Sequence, residues 1–326
     1  DEYNPLDVDA VVIDEASMLD LSLMNSLLKA IAPGTQLLLI GDADQLPSVG
    51  AGAILRDLIH SATLPIVRLT QIYRQSDNSD IALRAAEINE GRYPRLQNLG
   101  QELPSSNCLW LPAESAEQGY AQLRYLFERR LPELGFDPVQ DVQTLAPKQK
   151  GKIGVIELNR FLQESLNPTR EMHEELQLYN GDCLRVGDRV LQCRNNYDAD
   201  VFNGDLGTVK DVIHGKDSNT LVVEFSHDRL VGYGTEELSQ IRLAYALTIH
   251  KSQGSEYPCV VLPMFGEYHY MLSRCLFYTG LTRAKCLVVV VGNGQSIRTA
   301  IRRVDDQRRF TRLTHRLIEE SARQAA

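Results

Sequence analysis

The sequence is poor in anything that would cross-link it. Its six cysteines, Cys108, Cys183, Cys193, Cys259, Cys275 and Cys286, form no C-x-x-C pair and no spacing with histidine that suits zinc. That argues against a disulfide framework or a structural metal, and reduced, buried thiols in a cytoplasmic protein are expected. Long hydrophobic runs are also missing. No stretch approaches the roughly 20 apolar residues of a membrane helix. Positive charge is in deficit, with 34 Lys and Arg against 43 Asp and Glu and a net charge of −9. A protein that coats nucleic acid non-specifically is thereby disfavoured, although charge distribution still permits a local basic track. The most telling absence is a phosphate-cradling loop. Gly151-Lys152 and Gly215-Lys216 are the candidates for a G-x-x-x-x-G-K-[ST] pattern. Neither is followed by Ser or Thr, and neither has Gly five residues before its own glycine.

What is present is an ordinary globular composition, 43% apolar and 24% charged over 326 residues, enough for two or three domains. Val11–Ile13 and Leu37–Ile40 read as buried strands. Between them Asp20 is placed to cap a helix with the apolar stripe Leu21, Met24, Leu27, Leu28 and Ile31, stopped by Pro33-Gly34. This strand-helix-strand rhythm predicts a parallel sheet. Helices are predicted over 51–60, 80–90, 120–130 and 155–166, a strand over 142–145, and an irregular connection over 93–115. Between about 181 and 240 short β-rich runs alternate with Asn-Gly-Asp and Gly-Lys-Asp turns, the pattern of a small inserted antiparallel barrel. The α/β pattern then resumes with a strand over 259–262, a helix over 271–284 and a strand over 286–291. The arginine-rich tail from Arg298 to Arg316 reads as a helix docked on the core with a solvated basic face.

Several segments carry chemistry. Asp14-Glu15, directly after the first strand, sit at the lip where open α/β sheets bind ligands. Asp14 can hold Mg²⁺ through its water shell, and Glu15 can orient an attacking water. Gly41-Asp42-Ala43-Asp44-Gln45-Leu46-Pro47 follows the second strand, and the Gln45 amide can sense a γ-phosphate and place water. Arg74, in Leu69–Gln75, is either a solvated arginine or one that reaches a transferring phosphoryl group. Arg283, near the end of the 271–284 helix, is either a helix cap or a second such arginine. Leu247–Glu256 is dense in donors, and Thr248, His250, Lys251 and Ser252 can all bond phosphate oxygens. Gly254 in the same run permits close backbone approach. Tyr197 and Phe202, on a loop of the predicted barrel, can offer stacking faces to bases.

Taken in order, Asp14-Glu15, Gly41–Pro47, Tyr73-Arg74-Gln75, Thr248–Glu256 and Tyr278–Lys285 resemble motifs II, III, IV, V and VI of superfamily 1 helicases. The wording is similar to the RecD-like branch, which includes the alpha subunit of exodeoxyribonuclease V and its stand-alone relatives. Gln45–Val49 with Gly50 and Gly52, Thr248–Gly254 and Asn203-Gly204-Asp205-Leu206-Gly207 all fit that branch. The resemblance implies α/β architecture with RecA-like P-loop NTPase lobes, a partial first lobe over 1–62 and a complete second lobe from 63 onward. That second lobe is split into 63–180 and 241–326 by a small β-barrel of Src-homology-3-like type over 181–240. It further implies Asp14 on Mg²⁺, Glu15 as catalytic base, Gln45 as γ-phosphate sensor, and Arg74 and Arg283 as arginine fingers. Gly254 and Glu256 would face ATP, while Thr248, His250 and Lys251 would touch the backbone of single-stranded DNA. The implied activity is 5′-to-3′ ATP-dependent movement on DNA in recombination or repair. The implied partners are other exodeoxyribonuclease V subunits and an N-terminal part bearing motif I, because the chain opens on Asp1 and reads as the C-terminal piece of a longer motor. The alternative is a non-catalytic DNA-binding or subunit-docking module derived from a helicase.

Overall fold

The computed structural model describes residues 2–69, 80–169, 175–178, 181–215, 219–304 and 309–325. In chain order the first elements are β1 (Ala10–Ile13), α1 (Leu21–Ala30), β2 (Gln36–Leu39), α2 (Ile54–Ser61), α3 (Asp80–Asn89), β3 (Gln97–Asn98), β4 (Cys108–Pro112) and α4 (Ala116–Tyr125). Next come β5 (Val142–Ala146), α5 (Val155–Leu166), β6 (Glu175–Gln177), β7 (Cys183–Arg185), β8 (Arg189–Gln192), β9 (Leu206–His214), β10 (Asn219–Phe225) and β11 (Arg229–Tyr233). The last are β12 (Ile241–Leu243), β13 (Ala246–Thr248), β14 (Tyr257–Met264), α6 (Arg274–Leu281), β15 (Ala284–Gly292), α7 (Gly294–Arg302) and α8 (Leu313–Ala325). These fall into two compact units. The first comprises residues 1–94, 272–282 and 298–326, and the second comprises 95–271 and 283–297.

In the first unit β1 and β2 pair in parallel, Ile13 opposite Leu39. The Asp20 carboxylate accepts from the Leu23 N–H at 2.7 Å and starts α1 where its capping preference predicts. Ile13, Leu37 and Leu39 pack on a small core of Ala16, Leu19, Met24, Ile54 and Leu55, joined by Leu313 of α8. The opposite face is bare, with Val12 58% and Leu38 54% exposed. The expectation of fully buried strands is therefore corrected: a two-stranded sheet covered on one side buries alternate residues only. The α1 stripe is likewise narrower than expected, since Leu21 and Leu28 are exposed.

The second unit holds a six-stranded parallel sheet in the order β13-β5-β14-β15-β4-β3. Val288–Val291 of β15 and Val260–Leu262 of β14 are fully buried, as strands covered on both faces must be. β4 overturns the reading of 93–115 as irregular. Its five residues, Cys-Leu-Trp-Leu-Pro, follow a Ser-Ser-Asn lead and end on a proline, so local turn chemistry hides a strand whose apolar run is short. From α4 the helix continues through a π-helical turn at Leu126–Arg130. The inserted region forms the expected antiparallel sheet, in the order β11-β10-β9-β8-β12.

Two further expectations change. The helix predicted over 271–284 is α6, which begins one residue after its cap Ser273 and ends at Leu281. The tail is two helices, and Arg309 between them faces inward. Its guanidinium donates to the Gly52 carbonyl at 2.7 Å and to those of Ser48 and Gly50. Cys108, Cys259 and Cys275 are buried as expected, whereas Cys183 and Cys193 are half-buried and Cys286 is exposed. Among the described residues no helix is long and apolar enough to cross a membrane.

Candidate nucleotide and nucleic-acid site

The first unit gathers Asp14, Glu15 and Gln45. The chain leaves β1 at Ile13, and the Ala16 N–H donates to the Ile40 carbonyl at 2.8 Å while Ser48 N–H donates to Ser17 at 3.1 Å. The loops after β1 and β2 are thus stitched together just past the acids and on either side of the glutamine. Gly41 permits this: a Cβ there would lie 2.9 Å from Ala16 N and 3.0 Å from Ser17 N. Asp14 is exposed, and one carboxylate oxygen accepts the Glu15 N–H at 2.7 Å. Glu15 is held in the left-handed region, φ 50° and ψ 39°, a conformation that costs a non-glycine residue about 1–2 kcal/mol. Such strain concentrates at functional positions.

Gln45 is 8% exposed, with its Nε2 donating to Asp42 Oδ2 at 3.3 Å. Its Oε1 is buried and has no hydrogen-bond partner among the described residues. The same Asp42 oxygen accepts the Tyr278 hydroxyl at 2.7 Å, and Asp42 Oδ1 accepts the Asp44 N–H at 2.9 Å. One position on along α6, the Thr279 hydroxyl accepts the Leu46 N–H at 2.8 Å. Burial, then the charge of Asp42, push the Tyr278 phenol well above its usual range. Burial, and then Asp42, also push the Asp44 carboxyl up, with Arg56 and Arg68 opposing.

The second unit holds Thr248, His250, Lys251, Ser252, Gly254, Glu256 and Arg283. Thr248 caps a short 3₁₀ turn, its hydroxyl accepting the Lys251 N–H at 3.3 Å. His250 is half-buried and Lys251 exposed. Ser252 is fully buried, its hydroxyl donating to the Ile249 carbonyl at 2.8 Å, so it shapes the turn and offers nothing to solvent. Gly254 turns the chain at φ 77°. Glu256 is exposed and lies 3.7 Å from Lys285. Arg283 lies beyond the end of α6 and is only 3% exposed. Its guanidinium donates to the Ser255 carbonyl at 3.3 Å, and its carbonyl accepts the Tyr257 N–H at 2.9 Å, which ties it to the turn bearing Gly254. Tyr197 and Phe202 are 77% and 39% exposed, with rings edge to face at 5.8 Å, Tyr197 inside the loop closed by the Asn196–Val201 bridge and Phe202 just beyond it. Arg74, and the Gly215-Lys216 pair in part, lie outside the described residues.

The loop at Gly151-Lys152 is not a phosphate cradle. The Val155 and Ile156 N–H groups at the start of α5 donate to the Lys148 and Gln149 carbonyls, at 3.1 and 3.2 Å, and are spent. Asp14 suits a Mg²⁺ ion, which keeps several waters and takes one or two carboxylates beside phosphate oxygens. Among the described residues no three His, Cys, Asp or Glu side chains converge as a metal cage. Asp42 and Tyr278 were visible in the sequence inside quoted segments but carried no role there. Only the fold brings residues 236 apart into contact.

Comparison with known proteins gives the family. The family model described as the ATP-dependent RecD-like DNA helicase SH3 domain matches residues 158–225, from within α5 to the end of β10. The UvrD-like helicase C-terminal domain matches 243–291, and an AAA domain matches 4–102. The ATP-dependent RecD2 DNA helicase of Deinococcus radiodurans is 35% identical over 93% of this chain and 39% of its own length. The chain belongs to the RecD-like helicase family. The RecBCD enzyme subunit RecD of Mycobacterium tuberculosis is 31% identical over 93% of this RecD-like chain and 52% of its own length. The chain therefore spans about half or less of these relatives. Among solved structures, Pif1 helicase from Bacteroides in complex with ADP-AlF3 and ssDNA is 16% identical with a TM-score of 0.54, covering 98% of this chain and 76% of that one. Pif1 helicase from Candida albicans is 18% identical with a TM-score of 0.53, covering 97% and 77%. At these identities the likeness is one of fold: α/β, with the parallel sheet of a RecA-like lobe and a Src-homology-3-like insert.

Proposed function

We propose that this chain is the part of an ATP-dependent DNA helicase that completes nucleotide hydrolysis and grips single-stranded DNA, moving 5′ to 3′. Residues 1–62 belong to the first RecA-like lobe, the second lobe follows from 63, and 181–240 is its inserted barrel. Asp14 would hold Mg²⁺, which supplies charge neutralisation on the phosphates of ATP. Glu15 accepts the proton of the attacking water, and Gln45 holds that water through its Oε1, the amide end that Asp42 leaves unused. Arg283 and Arg74 neutralise charge on the transferring phosphoryl group, with Gly254 and Glu256 at the same nucleotide. Thr248, His250 and Lys251 contact DNA phosphates, and Tyr197 and Phe202 stack on bases. The reading rests chiefly on the two stitched loops that present a strained glutamate beside a half-satisfied buried glutamine.

A cytoplasmic site of action and docking to other exodeoxyribonuclease V subunits belong to the same proposal, the latter on the name of the mycobacterial relative. On its own the chain is expected to turn over ATP negligibly, because its sequence has no phosphate loop. Fluorescence anisotropy with a labelled single-stranded oligonucleotide tests the DNA half of the reading. Affinity should fall with salt at a log–log slope of about −0.7 per phosphate neutralised, and Lys251→Ala should flatten that slope by about 0.7. Tyr197→Ala should cost about 1–3 kcal/mol per stacked base. No binding at low salt, or binding indifferent to both variants, rejects the assignment.

A further inference from the structure

The Asp42 carboxylate is a junction. Its Oδ2 receives two donors, the Tyr278 hydroxyl at 2.7 Å and Gln45 Nε2 at 3.3 Å, while Oδ1 receives the Asp44 N–H at 2.9 Å. An amide has a donor end and an acceptor end, and a carboxylate tolerates only the donor. Asp42 therefore decides which way the Gln45 amide points, and the end left over is the buried Oε1, which has no partner among the described residues. Asp42 is itself held by two shorter bonds, from the Asp44 N–H on Oδ1 and from the Tyr278 hydroxyl on the Oδ2 that Gln45 also uses, and only the second comes from outside the loop. The phenol is held in a donor role, since burial beside Asp42 opposes its ionisation.

We propose that Tyr278 is a positioning residue for Gln45, acting through Asp42. The inference rests on the reading of Gln45 as the water-holding group, and it adds a helix-borne residue that sets the direction of that group. The bond between the Thr279 hydroxyl and the Leu46 N–H, 2.8 Å, makes α6 a second, independent anchor of the same loop. Loss of the Tyr278 hydroxyl alone should free the glutamine without freeing the loop.

The test uses the chain with ¹⁵N-glutamine labelling, the Gln45 side-chain amide signal being assigned by its disappearance in Gln45→Ala. In Tyr278→Phe that signal should move, and its exchange with solvent should quicken about tenfold, the scale of one lost hydrogen bond. Asp42→Asn should do the same. The Leu46 backbone amide, followed by hydrogen exchange, should keep its protection in Tyr278→Phe. An unmoved Gln45 signal overturns the proposal. So does joint loss of Leu46 protection, which would make the hydroxyl a general strut for α6. No nucleotide enters the measurement, so the positioning can fail while the hydrolytic reading of Gln45 stands, and the reverse.

Discussion

Asp188 and Arg189 are consecutive, both buried, and bonded to entirely different parts of the second unit. The Asp188 carboxylate accepts from Asn167 Nδ2 at 2.8 Å, the Tyr245 hydroxyl at 2.9 Å, Gln163 Nε2 at 2.5 Å and the Arg185 N–H at 2.8 Å. The Arg189 guanidinium donates instead to the carbonyls of Val139 at 2.7 Å and Val142 at 3.0 Å. The entry to the inserted sheet is thereby fastened both to α5 and to the approach to β5.

Replacing Asp188 by Asn should destabilise the second unit. An amide would turn a donor toward four donors, leaving at least one buried group unsatisfied at a cost of about 1–3 kcal/mol. Urea unfolding followed by circular dichroism should show an earlier midpoint, and an unchanged midpoint would show that the network is dispensable.

Asp44→Asn should stabilise the first unit in a pH-dependent way. Burial and the neighbouring Asp42 raise the Asp44 carboxyl above its ordinary value, against the pull of Arg56 and Arg68. A carboxyl raised in the folded state contributes stability that is full below the ordinary value and lost as pH rises through the raised one. The variant should therefore gain on the parent between pH 3 and pH 7, while its carbonyl can still accept from Asn89, now 3.2 Å from Asp44. A melting-point difference that stays flat across that range contradicts the prediction.

Glu15→Gly should be more stable than Glu15→Ala by about 1 kcal/mol, and so melt higher, because glycine alone occupies the left-handed region without strain. Equal melting points would mean that the backbone there relaxes once the carboxylate is gone.

Once a phosphate loop is supplied ahead of Asp14 and ATP turnover can be measured, Arg283→Ala and Arg74→Ala should each lower kcat by about 10³-fold or more with little change in nucleotide binding. Near-normal turnover in either variant removes that residue from the reaction. Arg283 would then be left as the buried brace of the Ser255 turn.

Much of this was legible beforehand where local and tertiary preferences agree. Asp20 caps α1 as its side chain dictates, α5 runs over the predicted 155–166, and the turn-rich stretch after 181 yields antiparallel strands. The misses share one cause. β4 is a strand because β15 pairs with it, from Val288 opposite Cys108 to Gly292 opposite Pro112, and no window of its own sequence says so. Ser252 looked like a phosphate donor by residue type, yet its hydroxyl closes its own turn. Arg309 looked solvated amid basic residues, yet three backbone carbonyls draw it inward. Residue type set out the candidates. Which of them face solvent was decided by partners distant in sequence.

The bare face of the β1–β2 sheet bears on how the chain will behave at the bench. Two parallel strands with Val12, Leu38 and Ile40 open to water leave both strand edges unpaired among the described residues. Such an edge recruits other strands. Concentrated preparations should thus self-associate through apolar contact, and added salt should aggravate the stickiness, whereas dilution should relieve it.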